Sequence, residues 1–440
     1  MTKSLFSAFE KVSSKAWKQK IQVDLKGADY NNTLIWKTTE GIDVRPFYHQ
    51  DEMLDTLKLQ PQQWSVGQII FVQNEKASNR KAIDAIERGA DTIKFIIPNK
   101  ETSALKTLEN IDLNATKIQL ELLFSDSEYI SNLNTINSNI QVIVDPIGHL
   151  AATGNWFETT NNAVVLSNQI TVNTTTYQNA GASIVQQLAY GLAHLNEYFN
   201  DKTNNSAELK KVYFNTAVGT NYFFEIAKLR ALRSLYNTLA AEYNCQAQLI
   251  INAIPTKRNK TIYDYNTNML RTTTECMSAI LGGANTVFNL PYDAIYHKDN
   301  EFGERIARNQ LLILKNESYF DAVNNASDGS YYIETLTTQL AEKALILFKD
   351  IEANGGFIAQ LKEGIIQKKI KESATKEQEL FDNGKIILLG TNKHPNKDDK
   401  MKDELELFPF LKTNPRKTLI IPIIEKRLAE TLEQNRLKTE

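Results

Sequence analysis

The sequence predicts an α/β fold, a TIM-type (β/α)8 barrel. Eight short apolar or β-branched runs recur between residues 65 and 320, and longer stretches with helical periodicity separate them. Roughly eight strand–helix units suit a closed barrel better than a doubly wound sheet. The pattern GxGxxG, which a dinucleotide-binding sheet carries after its first strand, occurs nowhere in the 440 residues.

The predicted strands are hydrophobic along almost their whole length. This is typical of parallel strands that are covered on both faces. They span residues 68–73, 92–97, 118–123, 140–144, 163–170, 212–217, 248–253 and 285–290.

Apolar residues at helical spacing mark the predicted helices. Residues 77–88 form one such helix, which ends at Gly89, a residue suited to a helix C-terminus. Residues 180–199 form another, and its apolar stripe consists of Ile184, Leu188, Leu192, Leu195 and Phe199. Two more are predicted at 222–243 and 268–281.

The flanks of the barrel differ from it in composition, so we expect three regions. Residues 1–64 form an arm, 65–320 the barrel and 321–440 a helical extension. Within the extension, residues 391–406 are expected to be a solvated or poorly ordered charged loop and 424–440 a polar helix.

The start of the arm has an apolar face formed by Leu5, Phe6, Phe9 and Trp17. This segment is too short to form a core of its own. Two interpretations remain open: the face docks on a partner chain, or it packs against its own barrel.

Composition excludes several classes of protein. With 50 Lys and Arg against 52 Asp and Glu, the chain lacks the basic surplus of a nucleic-acid-binding protein. Two cysteines cannot build a disulfide framework or a four-cysteine zinc site. No apolar run is long enough for a membrane span and no secretory signal is present, so we expect a cytoplasmic protein without a membrane partner.

Polar residues follow the predicted strands, where a TIM barrel places its reacting groups. The acid/base candidates are Asp145 and His149, with Glu75 as a third group. The alternative is that Asp145 caps the next helix and His149 lies in its first turn. Asparagines, which bind but do not exchange protons near neutral pH, dominate the remaining positions: Asn99, Asn168, Asn215, Asn252 and Asn289.

Other reactive side chains fit structural roles. Cys276 lies at core spacing within a helix, which predicts a buried thiol. The five histidines form no HxxxH or HxH pair, so no metal site is predicted. A charged cluster is expected to form ion pairs on an outward helix face, and it consists of Glu225, Lys228, Arg230 and Arg233.

Several long strings, in order along the chain, resemble the methylmalonyl-CoA mutase family, and specifically its small, or beta, subunits of the bacterial heterodimeric type. They include LKGADYNNTLIWKTTEGIDVRPFY (25–48), YQNAGASIVQQLAYGLAHLNEYF (177–199), FFEIAKLRALRSLY (223–236) and RTTTECMSAILGGANTV (271–287). The resemblance implies a barrel whose axis admits the coenzyme A chain of the substrate. It also implies an adenosylcobalamin cofactor held by a separate flavodoxin-like domain, and a reaction that interconverts methylmalonyl-CoA and succinyl-CoA in propionate metabolism.

The sequence departs from the catalytic members of the family. No histidine stands in a DxHxxG motif, whose histidine ligates cobalt, and no flavodoxin-like cobalamin domain is expected in the 440 residues. Thr176, beside Thr175, stands where catalytic members place a histidine. The substrate-binding insertion and the Tyr/Arg-rich segment of catalytic members are also missing.

The leading hypothesis is therefore a catalytically silent small subunit. It would bind no cofactor and would pair with a catalytic large subunit that holds adenosylcobalamin. We then expect bulky side chains such as Leu122, Ile143, Phe214 or Ile251 to fill the barrel axis. The alternatives are a regulatory module that binds CoA esters, a stand-alone barrel enzyme that uses Asp145, His149 and Glu75, and a homodimer.

Overall fold

A computed structural model describes residues 5, 7–52, 63–137, 140–157, 169–201, 206–411 and 415–440. Eight parallel strands form one sheet, as predicted. They are β1 Ser65–Phe71, β2 Thr92–Ile97, β3 Lys117–Leu122, β4 Gln141–Ile143, β5 Gln169–Asn173, β6 Lys211–Val218, β7 Gln248–Pro255 and β8 Thr286–Phe288. The fifth strand begins later than expected, and the predicted residues 163–168 lie outside the described part of the chain.

The strand order is β4-β3-β2-β1-β8-β7-β6-β5, so pairing of β8 with β1 curls the sheet into a nearly closed TIM barrel. Within the described residues, no backbone ladder joins β4 to β5. Side chains cross this gap instead. One of them is Gln169, whose amide donates to the carbonyl of Val142 at 3.2 Å.

Helices follow the strands and surround the barrel, and they include helices at the four predicted positions, 77–88, 180–199, 222–243 and 268–281. The helices before α9 are α1 Ser14–Asp24, α2 Tyr30–Leu34, α3 Glu75–Glu87, α4 Ala104–Thr107, α5 Ser127–Ile136, α6 Pro146–Thr153, α7 Thr175–Asn179 and α8 Ile184–Asn200. The others are α9 Tyr222–Glu242, α10 Thr267–Leu281, α11 Glu301–Leu312 (continued by one π-helical turn, Ile313–Glu317), α12 Tyr331–Ala353, α13 Phe357–Lys362, α14 Ile365–Asp382 and α15 Glu430–Leu437.

Two apolar cores lie between the strands and the helices. The larger one joins strands β5 to β8 to α8, α9 and α12, and the smaller one lies behind β1 to β4. Because α12 packs across α8 and α9, it forms an additional outer layer on this side of the barrel.

The N-terminal arm is anchored by a short hairpin, Trp36–Lys37 paired with Asp43–Val44. Between these strands lies the half-buried residue Glu40, whose carboxylate accepts hydrogen bonds from the backbone N–H groups of Ile184 and Val185, each at 2.9 Å. These groups begin α8, where a helix favours negative charge. By contrast, the only buried residue of α1 is Ser14.

The C-terminal extension differs from its prediction. Residues 418–428, which we call the strap, form neither helix nor strand and cross the C-terminal end of the barrel. The predicted helix of 424–440 forms only as α15. Backbone N–H groups of Leu419 and Ile423 donate to the carbonyls of Gly154 and Ala151 after β4. The charged loop is not fully solvated, because its Met401 is buried in a small apolar cluster.

Candidate functional site: the barrel interior and its C-terminal end

An amide network spans the interior of the barrel. Gln119 of β3 donates to Oδ1 of Asn252 on β7 at 3.3 Å, and Asn252 donates to Oδ1 of Asn215 on β6 at 2.9 Å. Strands β3 and β7 are four positions apart in an eight-stranded barrel, so the first contact crosses the axis. We call these three residues the axial bridge. Asn215 and Asn252 were predicted at strand ends, whereas both lie within their strands.

A second group of side chains fills the interior beside β8. Lys94 Nζ lies 3.3 Å from Glu121 Oε2 and 5.0 Å from the centre of the Phe288 ring. The Phe288 ring lies against Gly67, where a Cβ atom would come within 2.4 Å of it. Glycine at residue 67 thus makes room for an aromatic ring inside the barrel.

The prediction that Leu122, Ile143, Phe214 or Ile251 would fill the axis was wrong for three of the four residues. Leu122 and Ile251 belong to the cores outside the sheet, and Phe214 also points outward, toward Gly191 of α8. Of the four, only Ile143 is on the interior side of the sheet, because it is paired with Glu121, an interior residue, on the neighbouring strand. The interior is filled, but chiefly by amides, ions and aromatic rings.

Asp145 lies at the gap between β4 and β5. One carboxylate oxygen accepts from the backbone N–H of Gly148 at 2.8 Å, which makes Asp145 the N-cap of α6. The other accepts from the backbone N–H of Asn173 on β5 at 2.7 Å. Asp145 therefore takes the capping role that the sequence left open, and it also joins β5 to the end of β4.

A histidine that sequence reasoning missed is the partner of Asp145. His194 Nε2 lies 3.0 Å from Asp145 Oδ1, and Tyr198 donates to the same oxygen at 2.7 Å. The other ring nitrogen of His194 lies 3.0 Å from the hydroxyl of Tyr177. His194 is completely buried, and it lies one residue from the apolar stripe of α8, so nothing in the sequence pattern distinguished it from a core position.

The pKa values in this cluster suit a structural role. Burial favours a higher pKa for Asp145, but the charge of His194 and the hydrogen bonds to His194, Tyr198 and Gly148 hold the pKa below its usual 3.8. Burial raises the pKa of the Tyr177 hydroxyl far above its usual value. The cluster is thus an anion with its donors, closed off from solvent.

The other two acid/base candidates make separate contacts. The ring of His149 stacks on Phe157, with centroids 4.0 Å apart, and burial lowers its pKa. Glu75 accepts from the backbone N–H of Ser103 at 3.2 Å, and backbone hydrogen bonds lower its pKa. The structure therefore brings Asp145 together with His194, and among the described contacts no hydrogen bond links it to His149 or Glu75.

The charged cluster of α9 is buried, which contradicts the prediction of an outward face. Lys228 pairs with Glu225 at 2.5 Å and donates to the carbonyl of Ala217 at 2.6 Å. Arg230 pairs with Glu334 of α12 at 2.6 Å. Arg230 is covered by α12, whereas Lys228 faces the barrel, so two sides of this helix carry buried ion pairs.

Several predicted positions complete the C-terminal end. Thr175 donates to Oδ1 of Asn173 at 2.6 Å, and its neighbour Thr176 is half-buried. Asn289 donates to the carbonyl of Ala307 at 3.0 Å, whereas Asn168 lies outside the described residues. Cys276 is buried, as predicted, and burial raises the pKa of its thiol.

The two histidines near the C-terminal end of the barrel already have partners. Both ring nitrogens of the buried His194 already face partners, and His149 is stacked on Phe157. Across the described ranges, no group of three His, Cys, Asp or Glu side chains could hold a metal ion. A search of the same ranges finds no helix with the length and apolar character of a membrane span.

Comparison with known proteins gives a consistent result. The family described as methylmalonyl-CoA mutase matches residues 132–419. The chain is 34% identical to the methylmalonyl-CoA mutase small subunit of Porphyromonas gingivalis, over 92% of this chain and 73% of that protein. It is 32% identical to the methylmalonyl-CoA mutase small subunit of Streptomyces virginiae, over 57% of this chain and 43% of that protein.

A methylmalonyl-CoA mutase of Cereibacter sphaeroides is 27% identical over 86% of this chain. The chain spans 64% of the length of that relative.

Proposed function

The chain belongs to the methylmalonyl-CoA mutase family, and we propose that it is the non-catalytic small subunit of an adenosylcobalamin-dependent mutase that interconverts methylmalonyl-CoA and succinyl-CoA. It supports a catalytic large subunit in a cytoplasmic heterodimer that serves propionate metabolism. The two relatives named as small subunits support this partnership. The large subunit holds the cofactor, which supplies the radical chemistry of the rearrangement.

The axial bridge is the observation that carries the proposal. A barrel that works in this family must admit the coenzyme A chain of its substrate along the axis. In this chain the contact between Gln119 and Asn252 crosses that path, and the Lys94–Glu121 pair lies beside it. The side chains that close the axis are hydrogen-bonded to one another, so opening it would leave buried amides without partners.

Groups at the C-terminal end support the same conclusion. Thr176 replaces the histidine of catalytic members, and a hydroxyl is a weaker partner for a substrate carbonyl than an imidazole. Asp145 is held by four donors and is not free to act as a base. The strap covers the loops after β4 and β5.

Two measurements test the proposal. The purified chain, mixed with adenosylcobalamin and methylmalonyl-CoA, should show no turnover; turnover by this chain alone would overturn the proposal. Co-expression with the large subunit should give a complex with the mass of a heterodimer, measured by light scattering. A complex that never forms would contradict the supporting role.

A variant of the axial bridge sharpens the test. Gln119→Ala with Asn252→Ala should leave turnover of the heterodimer unchanged, because this barrel carries no substrate. Loss of turnover in a complex of normal mass would show that the barrel takes part in the reaction.

The start of the arm is the proposed contact with the large subunit. Leu5 and Phe9 are 87% and 75% exposed, while Trp17 stacks on Phe47 of its own arm at 4.3 Å. Phe6 lies outside the described residues. Burial against a partner would contribute about 1.5–3 kcal/mol for each large side chain.

Leu5→Ser with Phe9→Ser should therefore weaken heterodimer formation by about tenfold or more. Ile346→Ser, at a residue of α12 that is 70% exposed, is the control. If the wild type and the arm variant bind the large subunit with equal affinity, the arm is not part of the interface.

The alternatives make different predictions. A CoA-ester-binding regulatory module would show succinyl-CoA binding by calorimetry, and a homodimer would show twice the chain mass without the large subunit. A stand-alone enzyme needs Asp145, His149 and Glu75 within reach of one substrate. The separate contacts of these three side chains give that interpretation no support.

A further inference from the structure

A pocket of about 380 Å³ lies where the C-terminal extension meets the barrel. We call it the lateral pocket, because none of its described lining residues belongs to a strand of the barrel. Three segments form its walls: the loop between β7 and α10, the start of the charged loop, and α15. Sites for small molecules have volumes of about 300–1,000 Å³, so the lateral pocket is large enough for a small ligand.

Contacts between these segments hold the walls of the lateral pocket in place. The guanidinium of Arg436 lies 3.8 Å from the centre of the Tyr263 ring and donates to the carbonyl of Asn396 at 2.7 Å. Tyr263 donates in turn to the carboxylate of Glu440, which also accepts from the backbone N–H of Met401 at 2.9 Å. The pocket is therefore formed before any ligand binds, as is usual for small-molecule sites.

The lining is apolar with a cation beside it. Its apolar part consists of the Tyr263 ring, Pro395 and Leu432. No carboxylate stands among the described residues that line the pocket, whereas Lys397 and Arg436 do. Glu440 partly neutralises Arg436, since their side chains lie 3.8 Å apart, but the exposed Lys397 forms no ion pair with another described residue. The pocket thus favours a ligand that combines an apolar body with a single negative charge.

A buried hydroxyl without an acceptor also lines the pocket. Thr391 is 4% exposed, and within the described residues its Oγ1 atom has no hydrogen-bond partner. The backbone around it is fixed, because the Thr391 N–H donates to the carbonyl of Leu388 at 3.1 Å. A buried polar group without a partner is costly and calls for an explanation. A ligand oxygen in the pocket would supply the missing acceptor.

We propose that the lateral pocket binds a small carboxylic acid with an apolar body. The carboxylate accepts from the hydroxyl of Thr391 and from Lys397, whose flexible stem carries a mobile charge, and the body packs on Leu432 and the Tyr263 ring. A bound acid joins the charged loop to α15, so it stabilises the folded C-terminal extension by mass action. The inference does not depend on the mutase partnership or on the silence of the barrel.

Ligand-observed NMR titration of the full chain tests the chemistry of this site, with sodium benzoate as the probe. We expect saturable binding of benzoate. Benzamide has the same shape without the charge and should bind about threefold more weakly or worse. Acetate has the charge without the apolar body and should bind about tenfold more weakly or worse. Equal binding of benzamide would overturn the carboxylate, and equal binding of acetate would overturn the apolar body.

Thr391→Val removes the hydroxyl and nearly keeps the shape of the side chain. It should weaken benzoate binding by about threefold or more. Thermal unfolding without ligand should show no loss of stability, because the hydroxyl has no partner to lose. A lower melting temperature of the unliganded variant would show that the hydroxyl already has a structural partner, and it would overturn the proposal.

Lys397→Gln tests the charge and should also weaken benzoate binding by about threefold. Its matched control is Lys393→Gln, at an exposed lysine of the same loop that does not line the pocket, which should bind benzoate as the wild type does. The proposal is overturned by no saturable binding of benzoate, by unchanged binding in Thr391→Val and Lys397→Gln, or by an equal loss in Lys393→Gln.

Discussion

Replacing Asp145 by alanine should destabilise the chain more than the loss of an ordinary helix cap. The carboxylate accepts from the backbone N–H groups of Gly148 and Asn173 and from the side chains of His194 and Tyr198, at 2.7–3.0 Å. Its side chain is only 8% exposed, so water does not readily replace it. The change removes the shared acceptor of four donors at the gap between β4 and β5.

The magnitude follows from these contacts. Loss of an N-cap costs about 1 kcal/mol. Each buried donor that loses its acceptor costs about 1–3 kcal/mol. With the cap and the two side-chain donors counted, Asp145→Ala should lower the free energy of unfolding by about 5 kcal/mol. The matched control is Asp126→Ala, since Asp126 caps α5 with a single bond to Tyr129, and it should lose only about 1 kcal/mol.

Urea unfolding followed by circular dichroism measures both variants. If the two variants lose the same free energy of unfolding to within about 1 kcal/mol, this reasoning is wrong, because Asp145 would then act only as a helix cap. The pH dependence gives a second check. The pKa of Asp145 is below its usual 3.8 in the folded chain, so its stabilisation is fully present above that pH and disappears as the pH falls through the folded value. The difference between wild type and Asp145→Ala should therefore shrink in acid.

Two further predictions concern the C-terminal end and the buried ion pairs. Gly154→Ala should lower the free energy of unfolding by about 1–3 kcal/mol in urea, because a Cβ atom would lie 2.7 Å from the carbonyl oxygen of Ile420 in the strap. The control is Gly384→Ala, which is also at positive φ but in open space and should lose only about 1 kcal/mol. Equal losses in the two variants would contradict the predicted clash. Lys260→Met should cost about 3–5 kcal/mol at pH 8, because it leaves Glu275 buried without its partner at 2.7 Å. Burial raises the pKa of Glu275, so its neutral form becomes available as the pH falls. The loss of stability caused by Lys260→Met should therefore be smaller at pH 5 than at pH 8. A loss of stability that does not change with pH would contradict this prediction.

Strands were predictable from the sequence because both of their faces are covered. A run such as 92–97 is hydrophobic along most of its length, and it forms β2 with the same bounds. For the same reason, the sequence did not show which side chains of a strand point into the barrel. Phe214 and Asn215 are adjacent in β6 and both buried, yet one packs on α8 and the other joins the axial bridge. Only cross-strand register and contacts decide between the two faces.

Side chains covered by distant parts of the chain were the hardest to predict. The spacing of the charged residues in α9 is the same on a solvated helix as on a covered one, and the helix that covers Arg230, α12, lies about a hundred residues later. His194 was missed for a related reason, because its partner Asp145 lies 49 residues earlier, at the start of α6. Local periodicity predicts which elements form, but it does not predict which elements pack together.

Contacts within the chain engage polar residues that follow the strands. Asn179 donates to Glu425 of the strap at 3.1 Å and accepts from the hydroxyl of Thr256 at 2.9 Å. Arg258 pairs with Glu377 of α14 at 2.5 Å and donates to the carbonyl of Lys426 at 2.7 Å. A catalytic group must be able to exchange its partner for a substrate atom, and each exchange here would break a buried hydrogen bond. The same polar residues therefore hold the C-terminal extension on the barrel.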